Sequence, residues 1–106
     1  MKDFSIDGYA VKIGQNRDEN EKLLYYMNAN FTWFHVKDYP SAHLWIEEDF
    51  NNLTKKQIYK CALELKKSGK YRKWNTIEII YTLGKNLKKT NTPGTVTTNK
   101  TKTIKV

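Results

Sequence analysis

Apolar residues along this chain recur with two periods, and the change from one to the other marks where strands give way to helices. Phe4-Ser5-Ile6 and Tyr9-Ala10-Val11-Lys12-Ile13 read as two short strands. The Asp7-Gly8 pair between them supplies the positive φ that a tight hairpin turn needs. Gly14-Gln15-Asn16 closes the second strand. A helix is expected from Arg17 to Met27, with Asn16 as N-cap, Glu19 completing a capping box, and Leu23, Leu24 and Met27 facing the core. Asp18, Glu19 and Glu21 suit the positive end of its dipole. Asn28-Ala29-Asn30 breaks it, and Thr32–Val36 and Ala42–Ile46 follow as strands joined by the loop Lys37–Ser41.

The second helix is the plainest element. Thr54 caps it, Gln57 completes the box, and Ile58, Cys61, Ala62 and Leu65 fall on one face before Gly69 ends it. Lys55, Lys56, Lys60, Lys66 and Lys67 occupy the other face, as on a solvated helix. Trp74 to Tyr81 is expected as a strand with Ile77, Ile79 and Tyr81 on one side, followed by a basic loop from Gly84 to Asn91. Thr95–Thr98 and Thr103–Val106 read as a closing hairpin around Asn99-Lys100. Strands and two helices alternate without a regular βαβ repeat, so the fold class is α+β, with a mixed or antiparallel sheet. With 106 residues and no linker-like segment, residues 1–106 are expected to form one domain around one core.

Charge changes this picture from a fold to a surface. Residues 1–54 hold 5 Lys/Arg against 9 Asp/Glu, whereas residues 55–106 hold 14 against 2. The net charge of +8 is thus a mildly acidic half joined to a strongly basic one. Such an asymmetry is relieved by a polyanionic partner: nucleic acid, an anionic membrane surface or an acidic protein. Lysine-rich composition alone accounts for the total of 17 Lys, but not for its bias to one half. No apolar run approaches the roughly 20 residues of a membrane helix, and Met1-Lys2-Asp3-Phe4 does not open a signal peptide, so a cytoplasmic protein is expected. The single cysteine, Cys61, lies on the apolar helix face and reads as a core residue.

Candidate chemistry is sparse. His35 and His43 have no close cysteine or histidine partners of the kind a zinc site uses, and they read either as hydrogen-bonded strand residues or as RNA contacts. Glu47-Glu48-Asp49 reads as a solvated acidic turn. Nucleotide-binding glycine loops are absent. These readings predict no enzyme, no catalytic residues, no metal and no cofactor. The basic clusters differ in kind. Lys66-Lys67, Lys70 and Arg72-Lys73 enclose Tyr71 and Trp74, and Lys85, Lys88 and Lys89 follow in the loop beyond the strand. Lysines neutralise phosphates and aromatic rings stack on unpaired bases, which together suit looped or single-stranded RNA. Trp74 has two readings, core packing at a strand start or base stacking.

The run Trp33-Phe34-His35-Val36-Lys37-Asp38-Tyr39-Pro40-Ser41-Ala42-His43-Leu44 resembles the signature of the NFACT-R domain, the RNA-binding module of ribosome-associated quality-control factors. Gly14–Asn20 with Glu21 resembles that family's glycine-to-asparagine entry into the first helix. Tyr81–Lys89 resembles its strand and basic loop, and Pro93–Val96 with Thr103–Val106 its closing hairpin. Pro40-Ser41-Ala42-His43 departs from the Pro-Gly-Ser-His of the large factors and is closer to the small coiled-coil branch. The large factors' amino-terminal domain and long coiled coil have no counterpart here, so their tail-adding activity is expected to be absent.

The resemblance implies RNA recognition through Trp33, His35, Lys37 and His43, to which the basic clusters add Lys70, Arg72, Lys73, Lys85, Lys88 and Lys89. It implies a ribosome-associated factor that meets rRNA and ribosomal proteins; a lone module of net charge +8, monomeric before docking, is expected to act there by occlusion, competing with tRNA and idling or protecting the ribosome. A general nucleic-acid binder and a protein-interaction adaptor are the alternatives.

Overall fold

A computed structural model describes residues 1–106. Its first hairpin follows from two residues: Asp7 (φ 50°) and Gly8 (φ 89°) both take left-handed backbone, folding β1 (Lys2–Ile6) onto β2 (Tyr9–Gly14). The chain then forms α1 (Arg17–Tyr26), β3 (Thr32–Val36), β4 (His43–Ile46), α2 (Lys55–Lys67) and β5 (Glu78–Leu83). β6 (Leu87–Lys89), β7 (Val96–Thr98) and β8 (Lys102–Lys105) complete it. The main sheet has the order β1-β2-β4-β3-β5-β8 and is antiparallel throughout, while β6 and β7 form a separate ribbon.

Side-chain alternation divides this sheet between two cores. Phe34, Val36, Leu44, Ile46, Val11, Ile13 and Ile79 point one way and pack with Ile58, Cys61, Ala62 and Leu65 of α2. Trp33 and Trp45 point the other way, against Leu23 of α1, with Leu87 and Val96 of the ribbon packed around them. The central strands are therefore apolar on both faces, as the runs Trp33-Phe34 and Leu44-Trp45-Ile46 require. No helix is long and apolar enough to cross a membrane.

Both helix caps form, one with a shift. Thr54 and Gln57 exchange both capping-box bonds. Asn16 Oδ1 accepts the Glu19 N–H at 2.9 Å, but the Glu19 carboxylate accepts from Gln15, one residue before the cap.

Several local expectations give way to tertiary packing. The closing segments do not pair with each other: β7 pairs with β6, and β8 pairs with β5. Val96 and Ile104 pack in different cores, on opposite sides of the sheet, and one hairpin cannot deliver both. The intervening turn, with Lys100 at φ 52°, is clamped by the buried Thr82 hydroxyl, which lies 3.2 Å from the Lys100 carbonyl. The Gly84–Asn91 loop contains a 3-10 turn and β6, because Leu87 is drawn onto the tryptophan core. The strand expected from Trp74 begins at Glu78, and the one expected from Ala42 begins at His43. Lys66 is not on a solvated face. It is buried, with Nζ 3.3 Å from the Asn75 carbonyl and 3.2 Å from that of Val106, two acceptors that a helix pattern cannot reveal.

Candidate nucleic-acid interface

The connection from α2 to β5 is fastened to the β3–β4 loop by one buried side chain. Tyr71 donates its hydroxyl to the Pro40 carbonyl at 2.7 Å and brings Trp74 against Tyr39. The ring centroids are 5.0 Å apart for Tyr71–Trp74 and 5.5 Å for Tyr39–Trp74, both edge to face. Tyr39 and Trp74 remain about half exposed, at 49% and 45%, although each has aromatic neighbours. Lys70 lies 5.6 Å from the Tyr71 ring centre, Arg72 and Lys73 are exposed beside it, and exposed Lys37 pairs with Glu78 at 3.4 Å. Four of the expected basic residues therefore surround an open aromatic pair. Tyr39 was not among the expected contacts, and its signal was an aromatic in a loop bordered by polar residues.

Lys85, Lys88 and Lys89 lie elsewhere. They follow the far end of β5, roughly 20 Å along the strand from Glu78. Lys85 and Lys88 are exposed. Lys89 is engaged within the protein: Nζ is 2.7 Å from the Glu21 carboxylate and 3.5 Å from the centre of the Tyr25 ring. Its pKa is raised by the Glu21 hydrogen bond, and that bond in turn lowers the Glu21 carboxyl.

Trp33, His35 and His43 meet on the α1 side of the sheet. His35 stacks on Trp33 with centroids 5.4 Å apart, and His43 meets both rings edge-on at 5.4 and 5.2 Å. His43 is buried, and burial followed by repulsion from His35 pushes its pKa down to about 3. Burial also lowers His35, partly opposed by its bond to the Val36 carbonyl. Both rings are thus neutral near pH 7. Asn20, on α1, accepts the His43 backbone N–H and holds the strand from below. The sequence marked it only through the Gly14–Asn20 resemblance. Cys61 is enclosed in the α2 core, where burial pushes its thiol up to about 12. No group of three or more His, Cys, Asp or Glu side chains converges as a metal ion would need.

A small α+β domain that displays aromatic rings among lysines and arginine has the makeup of a nucleic-acid-binding module. The chain belongs to the NFACT RNA-binding domain family, whose description is "NFACT protein RNA binding domain" and whose model matches residues 2–101. Among curated proteins it is similar to coiled-coil domain-containing protein 25 of Bos taurus, at 33% identity over 88 residues. It is also similar to the homologous protein of Dictyostelium discoideum, at 32% over 87. Each alignment covers 77% of this chain and 42% of the relative, so the chain spans less than half the length of these proteins. The C-terminal part of the fibronectin/fibrinogen-binding protein from Streptococcus suis shares the fold, with a TM-score of 0.89 at 24% identity over 99% of this chain and 44% of that one.

Proposed function

We propose that this RNA-binding domain docks on the ribosome, gripping rRNA or occupying part of a tRNA site in the cytoplasm, and holds the ribosome idle or protected. The observation that carries the docking is the half-exposed Tyr39–Trp74 pair surrounded by Lys37, Lys70, Arg72 and Lys73. A ring among cations suits a folded RNA that offers one unpaired base beside closely spaced phosphates. Ribosomal RNA is rich in such loops. The dimensions of 33 × 29 × 26 Å and the net charge of +8 suit entry into a phosphate-lined cavity, with electrostatic attraction speeding arrival. With no second domain in these residues to recruit an activity, occupation acts by competition with tRNA.

Gradient sedimentation with purified ribosomes tests this reading. The protein is expected to travel with ribosomes, to be displaced by excess deacylated tRNA, and to lower peptide output in a purified translation system. An even spread over all nucleic acids points to a general binder, and association that survives nuclease treatment points to a protein adaptor. Either result, or stimulated translation, overturns the ribosomal assignment.

A further inference from the structure

The α1 side of the sheet contains a hollow of about 420 Å³ that neither basic cluster accounts for. That volume falls within the roughly 300–1,000 Å³ of small-ligand sites. Trp33, His35 and His43 line its floor, and Asp38 and Gly94 stand at its sides. The indole Nε1 of Trp33 and Nδ1 of His43 are sealed beneath this floor without a hydrogen-bond partner, as Nε1 of Trp45 is elsewhere, so the rings rather than these nitrogens face the hollow. Trp33 and His43 are 1% and 3% exposed.

The tautomer of His35 indicates what the ligand must offer. Its Nδ1 lies 2.6 Å from the Val36 carbonyl oxygen. A carbonyl only accepts, so Nδ1 carries the proton and Nε2 is left as an acceptor with no partner within the chain. The Asp38 carboxylate, also on the hollow, is a second acceptor. The neighbouring cleft of about 540 Å³ shares Asn20, Ser41 and Gly94 with the hollow and carries the cations of Arg17 and Lys70. One continuous groove thus presents ring-sized space with acceptors at one end and positive charge at the other.

We propose that the hollow receives one unpaired nucleobase bearing an exocyclic amino group, with its phosphates directed toward Arg17 and Lys70. This rests on the RNA-binding reading and adds a base preference to it. The amino group of cytosine, adenine or guanine donates to His35 Nε2, whereas uracil turns a carbonyl toward the same acceptor. The hollow adjoins the Tyr39–Trp74 pair, since Tyr39 also lines it, but those exposed rings stack on any base.

Cytidine and uridine hexamers provide the test, because they differ at the 4-amino and 4-oxo groups. By fluorescence anisotropy the cytidine hexamer is expected to bind about fivefold to tenfold more tightly, the worth of one buried hydrogen bond. His35→Leu is expected to remove that preference. In the wild-type protein the Trp33 indole N–H resonance is expected to move on adding the cytidine hexamer, while that of Trp45, whose Nε1 is buried away from the hollow, stays still. This readout decides the matter if the variant fails to fold. Equal affinities, a preference that survives His35→Leu, or a stationary Trp33 indole overturns the pocket even where ribosomal RNA still binds. Failure of hexamers and ribosomal RNA alike removes the RNA reading itself.

Discussion

The side-chain oxygen of Asn20 accepts the backbone N–H of His43 at 3.3 Å, fastening α1 to the strand that carries the histidine. Gly14 faces His43 in the register of β2 and β4, and a Cβ at that position would collide with the same Asn20 oxygen and lie 3.0 Å from the Asn20 backbone nitrogen. The bare glycine is what allows the helix to approach.

Gly14→Ala is expected to destabilise the protein by about 1–3 kcal/mol through overpacking. Asn20→Leu is expected to cost a similar amount, about 1–3 kcal/mol, by leaving the His43 N–H without its acceptor. Because both act on one contact, the double variant is expected to lose less than the sum of the two. Urea midpoints at unchanged slope measure all three. Additive losses would show that the residues act separately.

Acid is expected to unfold the protein from an unusually high pH. The His43 pKa lies at 6.5 unfolded and about 3 folded, so the unfolded chain binds the extra proton between these values. Stability is therefore full above pH 6.5 and falls as pH drops toward 3, by on the order of 5 kcal/mol over the whole window. His35, also lowered, adds to the same slope. Between about pH 6.5 and 5.5 carboxylates contribute little, so unfolding free energies measured there isolate the histidines. His43→Gln is expected to flatten this slope. A wild-type protein equally stable at both ends of that interval would show that the ring is open to water in solution.

The far basic cluster is expected to act through two of its three lysines. Lys85 and Lys88 are free in solvent, whereas Lys89 is committed to Glu21 and Tyr25. Replacing Lys85 and Lys88 by Ala is expected to reduce the slope of log affinity against log salt by about 1.4–1.8, near 0.7–0.9 per phosphate contact. Lys89→Ala is expected to leave the slope unchanged. A drop after Lys89→Ala would mean that RNA displaces the Glu21 pair.

Recognition and stability are expected to separate within the aromatic cluster. Trp74→Ala and Tyr39→Ala are each expected to weaken binding to an unpaired RNA segment by about 1–3 kcal/mol. Tyr71→Phe removes the bond to the Pro40 carbonyl and is expected to cost about 1 kcal/mol of stability, since that bond holds the two loops together. Thermal melts alongside anisotropy titrations check both. A Trp74→Ala protein that binds normally but melts early would make Trp74 a packing residue.

Much of this architecture was legible one segment at a time. The Asp7-Gly8 turn, the Thr54–Gln57 cap and the Ile58, Cys61, Ala62 and Leu65 stripe depend on backbone preferences and periodicity within a few residues. They form wherever the chain places them. The enrichment of Lys70, Arg72 and Lys73 around Tyr71 and Trp74 was equally plain, because these residues are neighbours in sequence. What tertiary structure alone decided is the choice among distant partners. Alternation gives a strand two faces but does not say which strand lies beside it or which core each face meets. The pairing of β7 with β6 and of β8 with β5 follows from where Val96 and Ile104 find apolar cover. The burial of Lys66 against two carbonyls, the capture of Lys89 by Glu21 and the meeting of Trp33, His35 and His43 over one hollow arise in the same way. Each is a contact between distant segments, made favourable only once the sheet has paid the entropy of bringing them together.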